Sequence, residues 1–599
     1  VHSDGVVFTF EGRKEQKCSI VLYEKKTGKI GKIPVPDTYY VGALRSIMVM
    51  GIEPASFDYN FEIDGKVMTD PYARRIVGRE KWGEKERFGM DYQVKSGFST
   101  DVFDWEEDVA PEIAKKDMVM YKLHVRNFTM EGSNGGARKG TFEAVENRIG
   151  YLRDMGVTTV EFMPFYEFEE LMIPETCELP DYVTWKEEQK TDTKKLPEVE
   201  KINCWGYTEG NYFAPKAAFT KSRQPEHALK SLIKALHKND MECIMEIYFP
   251  DTINQNLMLE ALRFWVMEYH VDGFRLMGAN LPVRAMAQDL ILCRSKLFAD
   301  TIPEDLLEQD YAYPHLFVYR DEFYYPLRKM LNHKEICLTD FVNQMRKQKK
   351  YAGFVNYAAS NDGFTLADVF MYSEKHNEAN GENNADGNDW NYSDNYGIEG
   401  PTRKKYIESL RKKQLRNAIT AVFLAQGIPL LAAGDEIGNS QRGNNNAYCQ
   451  DNAVGWVNWK NDKKYASLQQ FVKEMTAFRK AHPVLRMEEP MRMNDYKGLG
   501  YPDLSFHCDS AWTVGFSPNR QSVGMLYCGL YADCEEMIYV AYNFHTGKQF
   551  LALPKLPKSK KWYKVMDTGN ENSFLEKEMI MDAVQVEIAG MSIQILIGK

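Results

Sequence analysis

Hydrophobic and polar positions alternate in short segments at the start of the chain, as in Gly5-Val6-Val7-Phe8-Thr9-Phe10 and Ser19-Ile20-Val21-Leu22-Tyr23. Period-two spacing broken by turn residues predicts half-buried strands, and their number predicts a small β-sandwich over residues 1–110. That region closes with Phe57-Asp58-Tyr59-Asn60-Phe61-Glu62-Ile63-Asp64-Gly65 and Asp70-Pro71-Tyr72-Ala73. From about residue 117 the pattern changes to strand, loop and helix in alternation. Strands are predicted at 119–125, 158–163, 243–248, 273–277, 296–299, 354–358 and 429–432, with amphipathic helices between them, for example 257–270 and 414–425. About seven or eight such units favour a (β/α)8 TIM barrel over residues 111–488. An open α/β sheet is the alternative that strand counting leaves standing. Residues 489–599 return to strands, at 512–514, 537–544, 562–566, 584–588 and 593–597, which predicts a C-terminal all-β domain. The expected fold class is therefore α/β: a TIM barrel flanked by N-terminal and C-terminal β-sandwich domains.

Composition narrows the function classes. The chain has 599 residues, too many for one core. Its net charge of −10 argues against nucleic-acid and acidic-membrane partners. The ten cysteines show no C-x-x-C pair and no metal spacing, so they read as reduced thiols of a cytoplasmic protein, and no metal is expected. No apolar run reaches the roughly 20 residues that span a membrane. No leader is evident at Val1, although a start at Val rather than Met is compatible with a trimmed one. A Gly-rich phosphate loop is missing, so no nucleotide cofactor is expected. Two stretches stand out. Residues 166–203 are crowded with Glu and Lys and predict a solvated insertion. Residues 376–395 carry seven Asn with almost no aliphatics and predict an ordered polar loop.

Several strings, in order along the barrel, carry a family resemblance. They are Trp205-Gly206-Tyr207 with Asn211-Tyr212-Phe213-Ala214-Pro215, then Val271-Asp272-Gly273-Phe274-Arg275-Leu276-Met277, then Asn361-Asp362-Gly363-Phe364-Thr365-Leu366. Two longer strings, residues 374–383 and 443–452, narrow the match. The chain resembles glycoside hydrolase family 13, the α-amylase superfamily, in its isoamylase, glycogen-debranching and pullulanase-like branch. The resemblance implies cleavage of α-1,6 branch points in glycogen and starch. It also implies that the N-terminal sandwich is like a carbohydrate-binding module of family 48.

The resemblance also shows what has changed. A retaining glycosidase needs two carboxyl groups about 5–5.5 Å apart, one attacking the anomeric carbon and one protonating the leaving oxygen. The family pattern Gly-Phe-Arg-x-Asp ends in the nucleophile, but here that slot holds Met277, which reads as an apolar plug. Asp300 stands at the acid/base position where the family has Glu, one methylene short. The third acid, Asp362, is kept, and its neighbouring His is Asn361. Arg275 is kept without its usual partner, a role open to Asp362. The third-strand motif has become Glu246-Ile247-Tyr248-Phe249-Pro250-Asp251, which removes a sugar-binding His and an Asn. Pro250 replaces the Asn linked to calcium in many relatives. Tyr207 matches the stacking platform at the cleavage subsite, although a core Tyr is an equal reading.

Three functions compete. The leading one is a non-catalytic protein associated with an α-glucan (glycogen, starch or maltooligosaccharide), derived from a debranching enzyme and able to pair with a catalytically active debranching homologue. A second is an active debranching hydrolase with a relocated nucleophile, for which Glu246 and Asp251 are the spare carboxylates. The third is a structural or interaction protein without a sugar ligand, in which Tyr207 is buried and the cleft filled.

Overall fold

The computed structural model describes residues 2, 4–85, 93–99, 102–132, 138–172, 201–308, 313–513, 515–557 and 559–599. Its centre is a closed barrel of eight parallel strands. These are β1 (Met120–Leu123), β2 (Thr159–Phe162), β3 (Glu242–Phe249), β4 (Gly273–Gly278), β5 (Lys296–Ala299), β6 (Leu316–Tyr319), β7 (Gly353–Asn356) and β8 (Ile428–Ala432). Strand β8 pairs back onto β1, Met120 opposite Leu430, so no edge is left open. The open-sheet alternative is thereby excluded. Strand β6 is the one barrel strand that the hydrophobic pattern did not predict. It is four residues long, and its Tyr319-Arg320 end passes directly into a helix.

The main outer helices are α1 (Pro225–His237), α2 (Gln255–Tyr269), α3 (Asp321–Leu331), α4 (Leu338–Arg346), α5 (Lys405–Leu424) and α6 (Ala466–Ala481). Local chemistry sets their ends. Pro225 opens α1, where its missing N–H is unneeded, and Lys234 and His237 lie in its last turn beside the negative end of the helix dipole. Asn254 caps α2 by accepting from Asn256 N, and His270 ends it in the left-handed conformation. The stretch predicted as strand through Val125 breaks at His124, whose Nδ1 accepts from Asn127 N and starts a short helix.

On the N-terminal side, a three-stranded sheet (Gly5–Glu11, Leu44–Met50, Tyr40–Val41) faces a six-stranded sheet built around Cys18–Glu24 and Phe57–Ile63. Phe8, Phe10, Ile20, Leu22 and Phe61 fill the space between them, with the Phe10 and Phe61 rings stacked at 4.3 Å. The C-terminal region forms a six-stranded sheet covered by the pair Gln549–Ala552 and Gln585–Ile588. Its other face packs on the barrel, where Phe341 of α4 meets Tyr542 at 5.4 Å. Residues 512 and 513 are not a strand: Trp512 sits in a turn at φ 66°, and Val514 lies outside the described residues. The strands Leu504–His507, Ser522–Cys528, Gln549–Ala552 and Phe574–Met581 escaped the sequence pattern.

The predicted solvated insertion at 166–203 is corrected at its flanks; residues 173–200 lie outside the described residues. Tyr166, Glu167, Phe168 and Glu170 are buried rather than solvated. The reason is Lys216, itself fully buried, whose Nζ donates to Glu167 (2.7 Å), Glu170 (2.8 Å) and the Phe168 carbonyl (2.6 Å). The polar loop expected at 376–395 is ordered as predicted, and its Asn residues form a buried lattice: Asn377, Asn380 and Asn391 bond Asp386, Asn444 and Asn445.

Removing one partner from a buried ion cluster strands the others. Lys216→Met is therefore expected to cost about 3–5 kcal/mol in a urea unfolding titration. A change within experimental error would show that Glu167 and Glu170 do not need this cation.

Candidate active site

The site follows from period two along parallel strands, which sends residues i and i+2 of each strand into the barrel in successive layers. The lower layer is apolar: Met120, Ile244, Phe298, Phe317, Val355 and Ile428 pack together. Two positions further on, these strands and their neighbours carry Lys122, Glu161, Glu246, Arg275, Tyr319 and Tyr357, and Asp300 follows the end of β5. The interior thus switches from hydrocarbon to charge within one layer. The register places Lys122 opposite Glu161 and Glu246 opposite Arg275.

In that layer Lys122 forms ion pairs with Glu246 and with Glu161, the latter at 3.6 Å. Tyr319 donates its hydroxyl to Glu161. Tyr207 donates to the other oxygen of Glu246 at 2.6 Å, and Asn361 donates to the Tyr207 hydroxyl at 3.3 Å. Arg275 lies over the Tyr319 ring, 3.3 Å from its centroid, and donates to Asp300 at 2.6 Å.

Burial decides the charge states. Glu161 is fully buried, and desolvation, opposed by Lys122, raises its pKa to about 8. Glu246 is equally buried, yet Lys122 and a hydrogen bond from Glu161 outweigh desolvation and hold it below the usual carboxylate range. The two carboxyls of this coupled pair are thus pushed apart, Glu161 towards its protonated form and Glu246 towards its charged one. Desolvation also raises Asp362, against the pull of Lys122 and with Asp321 and Asp300 adding to the rise.

The sequence-predicted residues fall into two groups. Tyr207 and Asn361 join the hydrogen-bonded system around Glu246 and Lys122, Arg275 and Asp300 form a separate pair that meets it through the Tyr319 ring, and Asp362 lies exposed. Arg275 has not lost a partner to be replaced by Asp362: Asp300 is its partner. Asp300 is thus engaged as an acceptor, whereas donation to a leaving oxygen needs a free carboxylic acid. Met277, two residues beyond Arg275, emerges one layer higher at the rim. It is half-buried and belongs to none of the hydrophobic clusters among the described residues, so it is not the packed plug that was expected. Gly278 then turns the chain outward at φ 120°, where a Cβ would lie 1.9 Å from the Phe249 carbonyl oxygen. Tyr207 is half-buried, which does not match the fully buried Tyr of the filled-cleft reading.

The two spare carboxylates differ in their surroundings. Glu246 has no exposed surface and both of its oxygens are engaged, one by Lys122 and one by Tyr207. Asp251 is exposed on the turn after β3. That turn runs only from Pro250 to Asn254 before α2 begins, so the cleft wall it builds is low. Sequence reasoning missed Lys122, Glu161 and Tyr319. A lysine and a glutamate inside otherwise apolar strands were the available signal, because a charge in a barrel interior requires a partner. Among the described residues no group of three or more His, Cys, Asp and Glu is placed to hold a metal ion, and no helix is long and apolar enough to cross a membrane.

With this geometry in hand, the comparisons are specific. The chain is 28% identical over 631 residues to Isoamylase 3, chloroplastic, of Oryza sativa subsp. japonica, covering 92% of this chain and 76% of the relative. It is 29% identical over 533 residues to the Glycogen operon protein GlgX homolog of Mycobacterium tuberculosis, covering 72% of this chain and 70% of the relative. Among solved structures, a pullulanase from Paenibacillus barengoltzii in complex with maltohexaose and α-cyclodextrin superposes with a TM-score of 0.71 at 19% identity. That match covers 100% of this chain and 94% of the pullulanase chain, and it speaks to the fold. No family model matches the chain.

The raised pKa of Glu161 has a measurable consequence. A raised folded-state pKa contributes stability that is complete below the ordinary Glu range and is lost as pH rises through the folded value. The melting temperature should therefore fall between about pH 5 and about pH 8, from just above the ordinary Glu range to the folded value near 8. In Glu161→Gln this component is absent, so the fall should be shallower than in the wild type. Equal slopes would contradict the assignment.

Proposed function

Taking kinship with the isoamylase, glycogen-debranching and pullulanase branch of the α-amylase superfamily as the premise, we propose that this protein binds an α-glucan at the barrel mouth without cleaving it. The observation that carries the reading is the state of the fourth and fifth strands. The position two residues beyond Arg275 holds a thioether, and Arg275 itself is paired with the carboxylate at the acid/base position.

Each step of retaining hydrolysis lacks a participant. No carboxylate at Met277 attacks the anomeric carbon or offsets charge in an oxocarbenium-like transition state. Asp300 is one methylene short and held by a guanidinium, and a displacement of about 1 Å can cost on the order of 10²-fold in rate. Loss of a nucleophile removes roughly 10⁴–10⁶-fold by analogy with another hydrolase class. Some groups suited to binding remain, although the third-strand His and Asn are gone. Tyr207 offers an aromatic face, Asn361 and Asp362 offer hydrogen-bonding groups for sugar hydroxyls, and the Glu246–Lys122 pair fixes Tyr207 from below. The similar proteins are an isoamylase, a glycogen operon protein homologue and a pullulanase that binds maltohexaose, which supports a glycogen- or starch-type ligand here. We assign the N-terminal sandwich of residues 1–110 as an accessory carbohydrate-binding module on the same grounds. Association with a catalytically active debranching homologue fits a subunit that binds but does not cut.

The test is reducing-end release from glycogen, pullulan and amylopectin at high protein concentration. Release by the wild type should equal that of an Asp362→Ala control, while the wild type is still retarded in glycogen-containing gels. Tyr207→Ala should weaken that retardation several-fold. Release by the wild type that vanishes in the control would overturn the reading, and so would the absence of any retardation.

A further inference from the structure

The loop between β7 and α5 begins at Asn361 and Asp362 and carries Trp390, whose side of the loop is open to solvent: the residue is 67% exposed. An indole in water is an exception that the surrounding structure does not relieve. The backbone beneath it is instead held firmly. Asn391 is buried; its side chain donates to Asn388 O at 2.8 Å and accepts from Asn445 at 3.0 Å. The carbonyl of Asn391 accepts from Arg328 at 3.2 Å, and that of Tyr392 accepts from Asn332 at 2.8 Å. Trp390 N donates to Asn388 Oδ1 at 2.8 Å. Tyr392 stands at φ 46°, a left-handed conformation that is costly for an aromatic residue and persists only where neighbours impose it. These constraints hold the backbone that carries the exposed aromatic ring.

That face is joined to the mouth. A Cβ on Gly363, the residue after Asp362, would lie 3.0 Å from the Tyr324 hydroxyl. The rings then follow outward: Tyr324 to Tyr325 at 4.9 Å, Tyr325 to Tyr392 at 5.7 Å, and Tyr392 to Trp390 at 6.4 Å with their planes 28° apart. The rim is polar, with Asp389 exposed and Asn388 half-exposed. An aromatic plane beside an amide and a carboxylate, the latter paired with Lys375 at 2.6 Å, suits a neutral ligand with an apolar face and a hydroxyl edge. A pyranose ring has both.

We propose that Trp390 is an outlying stacking site for an α-glucan chain that runs outward from the mouth over Tyr325 and Tyr392. The proposal rests on the glucan-binding reading above and extends it to long chains. Isothermal titration with maltoheptaose and with maltose separates the two. For the wild type, Trp390→Phe and Trp390→Ala, the expected order of maltoheptaose affinity is wild type first, phenylalanine close behind, and alanine weaker by about two- to tenfold, the range of one aromatic contact. Maltose affinity should be the same in all three, since a short ligand occupies the mouth alone. Tryptophan fluorescence of the wild type should shift on adding saturating maltoheptaose, and this shift should be smaller in Trp390→Ala, with Trp205 beside Tyr207 still responding. If the wild type binds maltoheptaose and Trp390→Ala binds it equally well, the outlying site is wrong and the mouth reading stands. If the wild type binds neither sugar, both fall.

Discussion

The ion pair between Lys122 and Glu246 is the contact on which the mouth depends. Two opposite charges placed inside a barrel are costly unless each is paired and hydrogen-bonded. Here the pair is completed by Glu161, by Tyr207 above and by Tyr319 to the side. Tyr207 and Asn361 are positioned through it. Tyr207 points where it does because Glu246 accepts its hydroxyl, and Asn361 is oriented by Tyr207 in turn.

The same network explains why the remaining acids do not rebuild a catalytic pair. A glycosidase mouth needs carboxyl groups free to change bonding partners during the reaction. In this protein Glu246 is committed to structure, Glu161 is pushed towards its protonated form in the interior, and Asp300 is held by Arg275. Asp362, like Asp251 on the turn after β3, is exposed and takes part in no ion pair among the described residues. Binding asks less of these groups than chemistry does. It needs fixed donors, fixed acceptors and a flat ring, and a hydrogen-bonded layer supplies them without any proton having to move. The Asn lattice that holds residues 377–391 serves the same end further out, where backbone constraint takes the place of ion pairing.

Much of this was legible in the sequence, and the limits have physical causes. The barrel could be read because its strands are largely apolar runs, broken by single charged residues, between amphipathic helices, as at Glu242–Phe249. Strand β6 could not, since Leu316–Tyr319 is too short to show a period before Arg320 and the next helix begin. The altered nucleophile position at Met277 was visible because a motif fixes its spacing from Arg275. What replaced the lost interaction was not visible. The pairing of Arg275 with Asp300 joins residues 25 apart in sequence across two strands, and no local pattern encodes it. The buried flank around Lys216 failed for a related reason: Glu167 and Glu170 look solvated in a charged stretch until a single lysine from beyond the insertion is brought against them.

The central claim is that the mouth holds a glucan and leaves it whole. Native mass spectrometry of the protein after prolonged incubation with a purified branched maltooligosaccharide containing one α-1,6 linkage addresses it most directly. The account predicts a one-to-one complex whose ligand mass is that of the intact saccharide, with no shorter fragments in solution. Fragment masses produced by the wild type and lost in Asp362→Ala would contradict it, as would a protein that emerges with no saccharide bound.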